Sequence, residues 1–258
     1  MLAPRLNNAI IESMHLQKTF TGRKSIYLTP NFEEVINMAG VIKASQLSRS
    51  GEVVLWENEI NGIKEYELII NGVFIMASYN HLSSELLVRN AIRPGQNTEI
   101  LVGGLGMGYT VKEACAHTEV VGVDVIEIES VIIEWNRTWF KKGNNACLDD
   151  QRVKVMEDDF FSYVQNCEKT YDLIGMDIDN GPMMLVNDTN ARVYRAGFFR
   201  QILSLLNHEG VFAIWSCNHD ENLLQEARLV FPDCQAEEVI EEHDGRKVPY
   251  YIYFCRKK

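Results

Sequence analysis

The sequence has 258 residues, 46% of them hydrophobic and 24% charged, with a formal net charge of −11. That length fits one large domain, or one domain with a small appendage, and the composition is that of a globular enzyme or binding protein. The acidic balance, with no basic stripe and no interleaved aromatics, argues against nucleic acid as a partner, whereas a negative field attracts small cations such as polyamines.

Taken in chain order, the first ~20 residues predict a loosely attached helix with no assignable role. Glu52 to Glu59 and Tyr66 to Ser78 read as extended, broken by Asn61-Gly62 and Asn71-Gly72. Asn-Gly between apolar stretches is a strong hairpin signal, so a small antiparallel unit is expected, beginning near Val41. A helix is expected from His81 to Ile92, stopped by Pro94-Gly95. From Asn97 onward strands and helices alternate. The expected strands are Glu99–Gly103, Val120–Ile126, Val153–Met156, Asp172–Asp177 and Val211–Ser216. The expected helices are Gly108–Ala116, Glu129–Phe140, Phe160–Asn166, Ala191–Asn207 and Glu221–Val230. Such alternation predicts a parallel sheet covered on both faces. Ala236–Glu241 and Tyr250–Cys255 flank the turn signal His243-Asp244-Gly245, which predicts a hairpin returning along the sheet edge. The division expected is 1–95, an N-terminal extension with a small β unit and linking helix, and 96–258, a Rossmann-like α/β domain.

The six cysteines are scattered without a CxxC pair, and the six histidines form no ligand-spaced pair. Neither a disulfide framework nor a metal site is expected. No apolar run approaches the ~18 residues of a membrane span. The opening MLAPRLNNAI lacks a secretory signal pattern, so the cytoplasm is the expected location and no membrane partner is expected.

Chemistry concentrates at the carboxyl ends of the strands, where open parallel sheets bind ligands. After the first strand comes GGLGMG, Gly103 to Gly108, opening a helix; after the second comes Glu127. Glycines let the backbone turn sharply and approach a ligand, and an acid about 20 residues further on can accept ribose hydroxyls. Asp158-Asp159 follows the third strand, and the fourth ends in DIDNGP, Asp177 to Pro182. Each has a structural reading too, since aspartate caps helices and Asn-Gly-Pro makes turns. Trp135 and Trp139, four apart, read as helix packing. Met183-Met184-Leu185 reads as an apolar lid.

The ordered set of glycine loop, acidic strand end, RV.V..D and YD.I..D resembles the spermidine synthase (polyamine aminopropyltransferase) family, from about Tyr66 to Trp215. The resemblance implies the fold of class I S-adenosylmethionine methyltransferases, mostly parallel with a terminal antiparallel hairpin, preceded by a small β-rich unit. It implies S-adenosylmethionine or its decarboxylated form as co-substrate, no metal, an amine or polyamine acceptor, and a homodimer as the simplest assembly. Residue by residue, it implies that Gly104, Leu105, Gly106, Met107 and Gly108 line the nucleoside and that Glu127, with Ile128 beside it, holds the ribose. Asp159 would meet the adenine amino group, with Phe160 beside the ring. Asp177 would act as base on the attacking amine, and Asp179 corresponds to the family's second aspartate. Glu85 matches the last position of the family's YHE or YQE signature, here Ser83-Ser84-Glu85, and Tyr79 is a further candidate substrate contact. Leu105 and Met107 stand in the loop region where the family carries an aspartate for the donor's amine.

Three readings follow. The first is transfer of an aminopropyl group from a sulfonium donor to an amine; the second is S-adenosylmethionine-dependent methyl transfer to a small molecule. The third is a non-catalytic homologue that binds a nucleoside or polyamine. A nicotinamide dinucleotide fits the glycine loop but leaves Asp159 and DIDNGP unexplained.

Overall fold

In β5 (Thr98–Gly103) three consecutive residues, Ile100, Leu101 and Val102, are fully buried, and they alternate between two hydrophobic clusters. A strand buried on both faces belongs inside a parallel sheet covered by helices. The computed structural model, which describes residues 40–60, 62–243 and 245–258, has that architecture. The helix expected over the first ~20 residues lies outside the described residues, as do Asn61 and Asp244 of two expected turns.

Seven strands form the main sheet: β5, β6 (Val120–Glu127), β7 (Val153–Glu157), β8 (Tyr171–Met176), β9 (Leu206–Ser216), β10 (Asp233–His243) and β11 (Arg246–Arg256). Their order is β10-β11-β9-β8-β5-β6-β7. The strands from β5 to β9 pair in parallel, and β11 lies antiparallel between β9 and β10. The chain winds outward from β5 through β6 to β7, then returns to the other side of β5 as β8. That reversal makes the carboxyl ends of β5 and β8 the switch point of the sheet, where this class of fold binds ligands.

The helices are α1 (Leu82–Arg89), α2 (Tyr109–Ala116), α3 (Ser130–Arg137), α4 (Phe160–Asn166), α5 (Ala196–Leu205) and α6 (Glu221–Arg228). Leu87, Val111 and Trp135 of the first three enter one cluster; Val164, Phe199 and Leu223 of the last three enter the other. The N-terminal strands β1 (Val41–Ser48), β2 (Gly51–Ile60), β3 (Ile63–Ile70) and β4 (Val73–Ala77) form a separate sheet in sequential order. Their inward residues Val53, Leu55, Leu68 and Ile70 join the first cluster. Asn71 and Gly72, with φ of 50° and 75°, make the tight turn that Asn-Gly predicts. Residues Ile42–Lys258 form one compact unit. No helix of the described residues is long and apolar enough to cross a membrane.

Two expectations are corrected. The helix expected over Ala191–Asn207 is instead a 3-10 turn, Asp188–Tyr194, an extended Arg195, and α5. The break has a cause, because the Ala196 N–H donates to Glu226 of α6 at 2.7 Å and starts a new helix there. The helix then stops at Leu205, because Leu206 is already paired with Tyr171 of β8. Cys234 and Cys255, not expected to pair, are register partners on the β10–β11 hairpin and are joined as a disulfide. Cross-strand register brings them together, and spacing along the chain carries no trace of it.

The two sheets are clasped by Glu129, only 2% exposed. Its carboxylate accepts the Ser50 N–H at 2.9 Å and the Ser48 hydroxyl, both from the β1–β2 turn. Removing it strands a half-buried amide. Glu129→Ala is expected to lower stability by about 2 kcal/mol in urea denaturation. A midpoint equal to that of the unaltered chain would show that the clasp contributes nothing.

Candidate functional site

The glycine loop is held from both flanks before any ligand is considered. The Gly104 N–H donates to Ile126 O at 2.9 Å, and the Asp177 N–H donates to Gly103 O at 2.8 Å, locking the loop to β6 and β8. Gly104 has a φ of 90°, and a β-carbon there would collide with the Asp177 carbonyl oxygen. Only glycine meets both conditions. The loop carbonyls are engaged as well: Asn136 Nδ2 donates to Gly106 O at 2.7 Å and Asn144 Nδ2 to Met107 O at 3.3 Å. Leu105 and Met107, 5% and 1% exposed, turn inward as core.

Glu127 closes the loop from β6. Its carboxylate accepts the Leu105 N–H and the Glu129 N–H, each at 2.9 Å. Burial pushes its carboxyl above the usual range, and those two amides pull against the rise. Ile128, next along, is half-buried. The structure thus places Gly104 to Gly108, Glu127 and Ile128 together at the carboxyl ends of β5 and β6.

Asp177 follows β8 directly, its backbone against that of Gly103 and Gly104. The Ser84 hydroxyl donates to its carboxylate at 3.2 Å. Burial raises its carboxyl to about 6, while donors from Ser84 and Thr110 restrain the shift. A carboxyl raised in this way exchanges its proton closer to neutrality than a free one does. Ser84 is held in turn, since the Thr110 hydroxyl donates to its backbone oxygen at 3.1 Å. Its neighbour Ser83 donates N–H and hydroxyl to Glu241 of β10 at 2.8 and 2.6 Å and accepts from Trp215 Nε1 at 2.9 Å.

The remaining expected residues have other neighbours. Asp179, at a φ of 56°, accepts the Val186 N–H at 3.2 Å and Asn190 Nδ2 at 2.9 Å, so it staples the loop after β8. Burial raises its carboxyl too. Asp159 caps α4 through the Phe161 N–H at 3.1 Å and pairs with Arg192. Its neighbour Asp158 is exposed, accepts the Asp159 N–H at 2.8 Å through one carboxylate oxygen, and donates its own N–H to Glu127 O at 3.1 Å. Phe160 is buried beneath Gly103, whose β-carbon would lie 2.7 Å from its ring. Glu85 pairs with two cations, Lys112 and Arg89, at 3.2 and 3.1 Å, and lies 3.0 Å from His81 Nδ1. Tyr79 donates to the buried Glu67 at 3.0 Å and stacks on His243.

Trp135 packs in the core, but Trp139 stays 40% exposed beneath Lys43. Met183 is 67% exposed. Among the described residues no group of three or more His, Cys, Asp or Glu is placed to hold a metal ion. Residues without a sequence signal also reach the site. Asn180, which reads as part of a turn, donates Nδ2 to Phe74 O of β4 at 2.6 Å. Met76 lies over the glycine loop, and only its alternation along β4 could have suggested which way it faces.

A family model described as the spermine/spermidine synthase domain matches residues 80–241. The polyamine aminopropyltransferase of Pyrobaculum calidifontis is 29% identical over 166 residues, covering 62% of this chain and 55% of that protein. The polyamine aminopropyltransferase of Prochlorococcus marinus (strain MIT 9312) is 26% identical over 183 residues, covering 69% of this chain and 61% of that protein. The chain therefore spans less than two thirds of the length of these curated relatives. Among solved structures, a spermidine synthase in complex with the transition state analogue AdoDATO aligns with a TM-score of 0.71 at 19% identity, over 84% of this chain and 74% of that one. The spermidine synthase of Thermotoga maritima aligns with a TM-score of 0.68, also at 19% identity, over 84% of this chain and 73% of that one. These structural likenesses show the fold, a methyltransferase-like α/β sheet.

The collision at residue 104 gives a direct test. Gly104→Ala is expected to cost about 3 kcal/mol, from the left-handed backbone and the displaced β8 end together. Thermal unfolding measures it, and a melting temperature unchanged from the glycine protein would refute the close approach.

Proposed function

The chain belongs to the spermine/spermidine synthase family, and from that premise we propose that it moves an aminopropyl group from decarboxylated S-adenosylmethionine to an amine. The observation that carries this reading is Asp177, a carboxyl raised to about 6 and fastened beside the glycine loop by the Gly103–Asp177 backbone hydrogen bond. In the proposed step the amine nitrogen attacks the donor carbon bonded to sulfur. A carbon–nitrogen bond forms, the carbon–sulfur bond breaks, and its electron pair neutralises the sulfonium to leave methylthioadenosine. The amine's proton passes to Asp177. A primary amine is mostly protonated at neutral pH, so a desolvated carboxylate beside it favours proton loss as attack begins. The rest is alignment of nitrogen, carbon and sulfur.

In this reading Gly104 to Gly108 and Glu127 cradle the nucleoside, and Asp158 and Asp159 together edge the adenine. Asp159 already serves Arg192 and the start of α4, so the exposed Asp158 is the freer acceptor for the adenine amino group. Asp179 shapes the acceptor side by stapling its loop, and Tyr79 and Glu85 stand behind it as supports. Residues 96–258 act as the catalytic part, and the unit within 1–95 covers the donor. The acceptor is an amine or polyamine. No metal takes part in the step.

The test is product analysis. The chain incubated with decarboxylated S-adenosylmethionine and a panel of diamines and polyamines is expected to release methylthioadenosine with an aminopropylated amine. Asp177→Asn is expected to lower turnover by about 10²–10⁴-fold while calorimetry shows the donor still bound. Unchanged turnover removes Asp177 as the base.

The same carboxyl makes a prediction about stability. Its ordinary value is 3.8 and its folded value about 6, so the folded state holds this proton more tightly. Its contribution to stability is therefore present at low pH and is lost as pH rises through about 6. Asp177→Asn should melt above the unaltered chain at pH 8, with the gap closing toward pH 4. A gap that widens toward acid pH would reverse the assigned sign. Activity should fall as pH drops below about 6, because the protonated acid cannot accept a proton.

A further inference from the structure

Met76 is supplied by the N-terminal sheet, yet its thioether belongs to the glycine loop. The Met107 N–H donates to Met76 Sδ at 3.1 Å, and a β-carbon on Gly106 would lie 2.6 Å from the same sulfur. The strand carrying it is pinned on both sides of Met76. Asn180 Nδ2 holds Phe74 O at 2.6 Å, and the Tyr109 hydroxyl donates to Ser78 O at 3.1 Å.

A glycine loop at a helix start ordinarily receives anions, because its amides point outward. Here four of the five amides from Gly104 to Gly108 are already engaged. Gly104 donates to Ile126 O, Leu105 to Glu127, Met107 to Met76, and Gly108 to Leu105 O. The acids flanking the loop, Glu127 and Asp177, take their hydrogen bonds from amides and hydroxyls rather than from a cation. A carboxylate brought against this wall would lose water, meet a thioether and two acidic side chains, and find few donors in return. An amine tail without a carboxylate escapes that penalty.

We infer that Met76 is the specificity-determining residue for the donor tail: by capping the loop amide and filling the space over Gly106, it excludes a carboxylated donor. The inference rests on the proposed sulfonium-nucleoside site and goes further by naming what selects the tail.

Calorimetry with three ligands tests it on the full chain: methylthioadenosine, which has no charged tail, decarboxylated S-adenosylmethionine, and S-adenosylmethionine. The unaltered chain should bind the first two and favour the decarboxylated donor over the carboxylated one by at least about tenfold. Met76→Ala should narrow that ratio by about tenfold, through tighter binding of S-adenosylmethionine, with methylthioadenosine unchanged. Met76→Val keeps a side chain suited to a strand while withdrawing the sulfur, and should narrow the ratio in the same direction should the alanine variant fail to fold. An unaltered ratio in the folded variants, or no preference in the unaltered chain, overturns the role of Met76 while methylthioadenosine binding leaves the nucleoside site standing. No binding of methylthioadenosine by the unaltered chain overturns the nucleoside site itself.

Discussion

The structure depends on one close approach, that of the Gly104 backbone to the backbone of Asp177. The Asp177 carbonyl oxygen occupies the space of a β-carbon at residue 104, and the adjoining Gly103–Asp177 hydrogen bond closes the contact at 2.8 Å. Neighbouring parallel strands ordinarily end in loops that diverge. Here the loops are pressed together, so the glycine loop and the residue after β8 form one piece. Backbone fixes where the Asp177 side chain starts, and the Ser84 hydroxyl helps to fix where its carboxylate ends.

Around that piece the molecule arranges supports that are mostly polar and mostly distant in sequence. Glu129 clasps the β1–β2 turn, Asn180 holds β4, and Ser84 reaches Asp177 from the start of α1. Apolar burial brings the N-terminal sheet against the main one through Val53, Leu55 and Leu68. Burial is non-directional, so it supplies attraction without fixing position. The hydrogen bonds supply the position. Glu127 shows both sides of such an arrangement, since a carboxylate buried at this depth is tolerable because two amides face it.

How much of this was legible depends on the kind of constraint. The strands from β5 to β8 carry apolar runs that end in glycine or acid, and a sheet of this class concentrates function at those ends, so a candidate site could be placed there. The Asn71-Gly72 turn was equally plain, because few residue pairs accept two positive φ angles. The stretch around Arg195 could not be read, because its helical periodicity is overridden by Glu226, a partner thirty positions away. Cys234 and Cys255 met through hairpin register, and Asp159 was drawn to Arg192 by a fold that periodicity does not encode. Ser84 and Asp177 lie 93 positions apart, and no local pattern ties a hydroxyl to a carboxylate at that range.

The grip of Glu241 on Ser83 has a consequence for the order of assembly. The two residues are 158 positions apart, and the residue after Ser83 is the one that touches Asp177. During synthesis the glycine loop, β6 and β8 leave the ribosome well before β10 does. For that interval the start of α1 lacks the carboxylate that fastens it, and the surroundings of Asp177 are incomplete. A nascent chain can thus hold the glycine loop while Asp177 stands in incomplete surroundings. Those surroundings are completed only when the terminal hairpin docks and Glu241 meets Ser83.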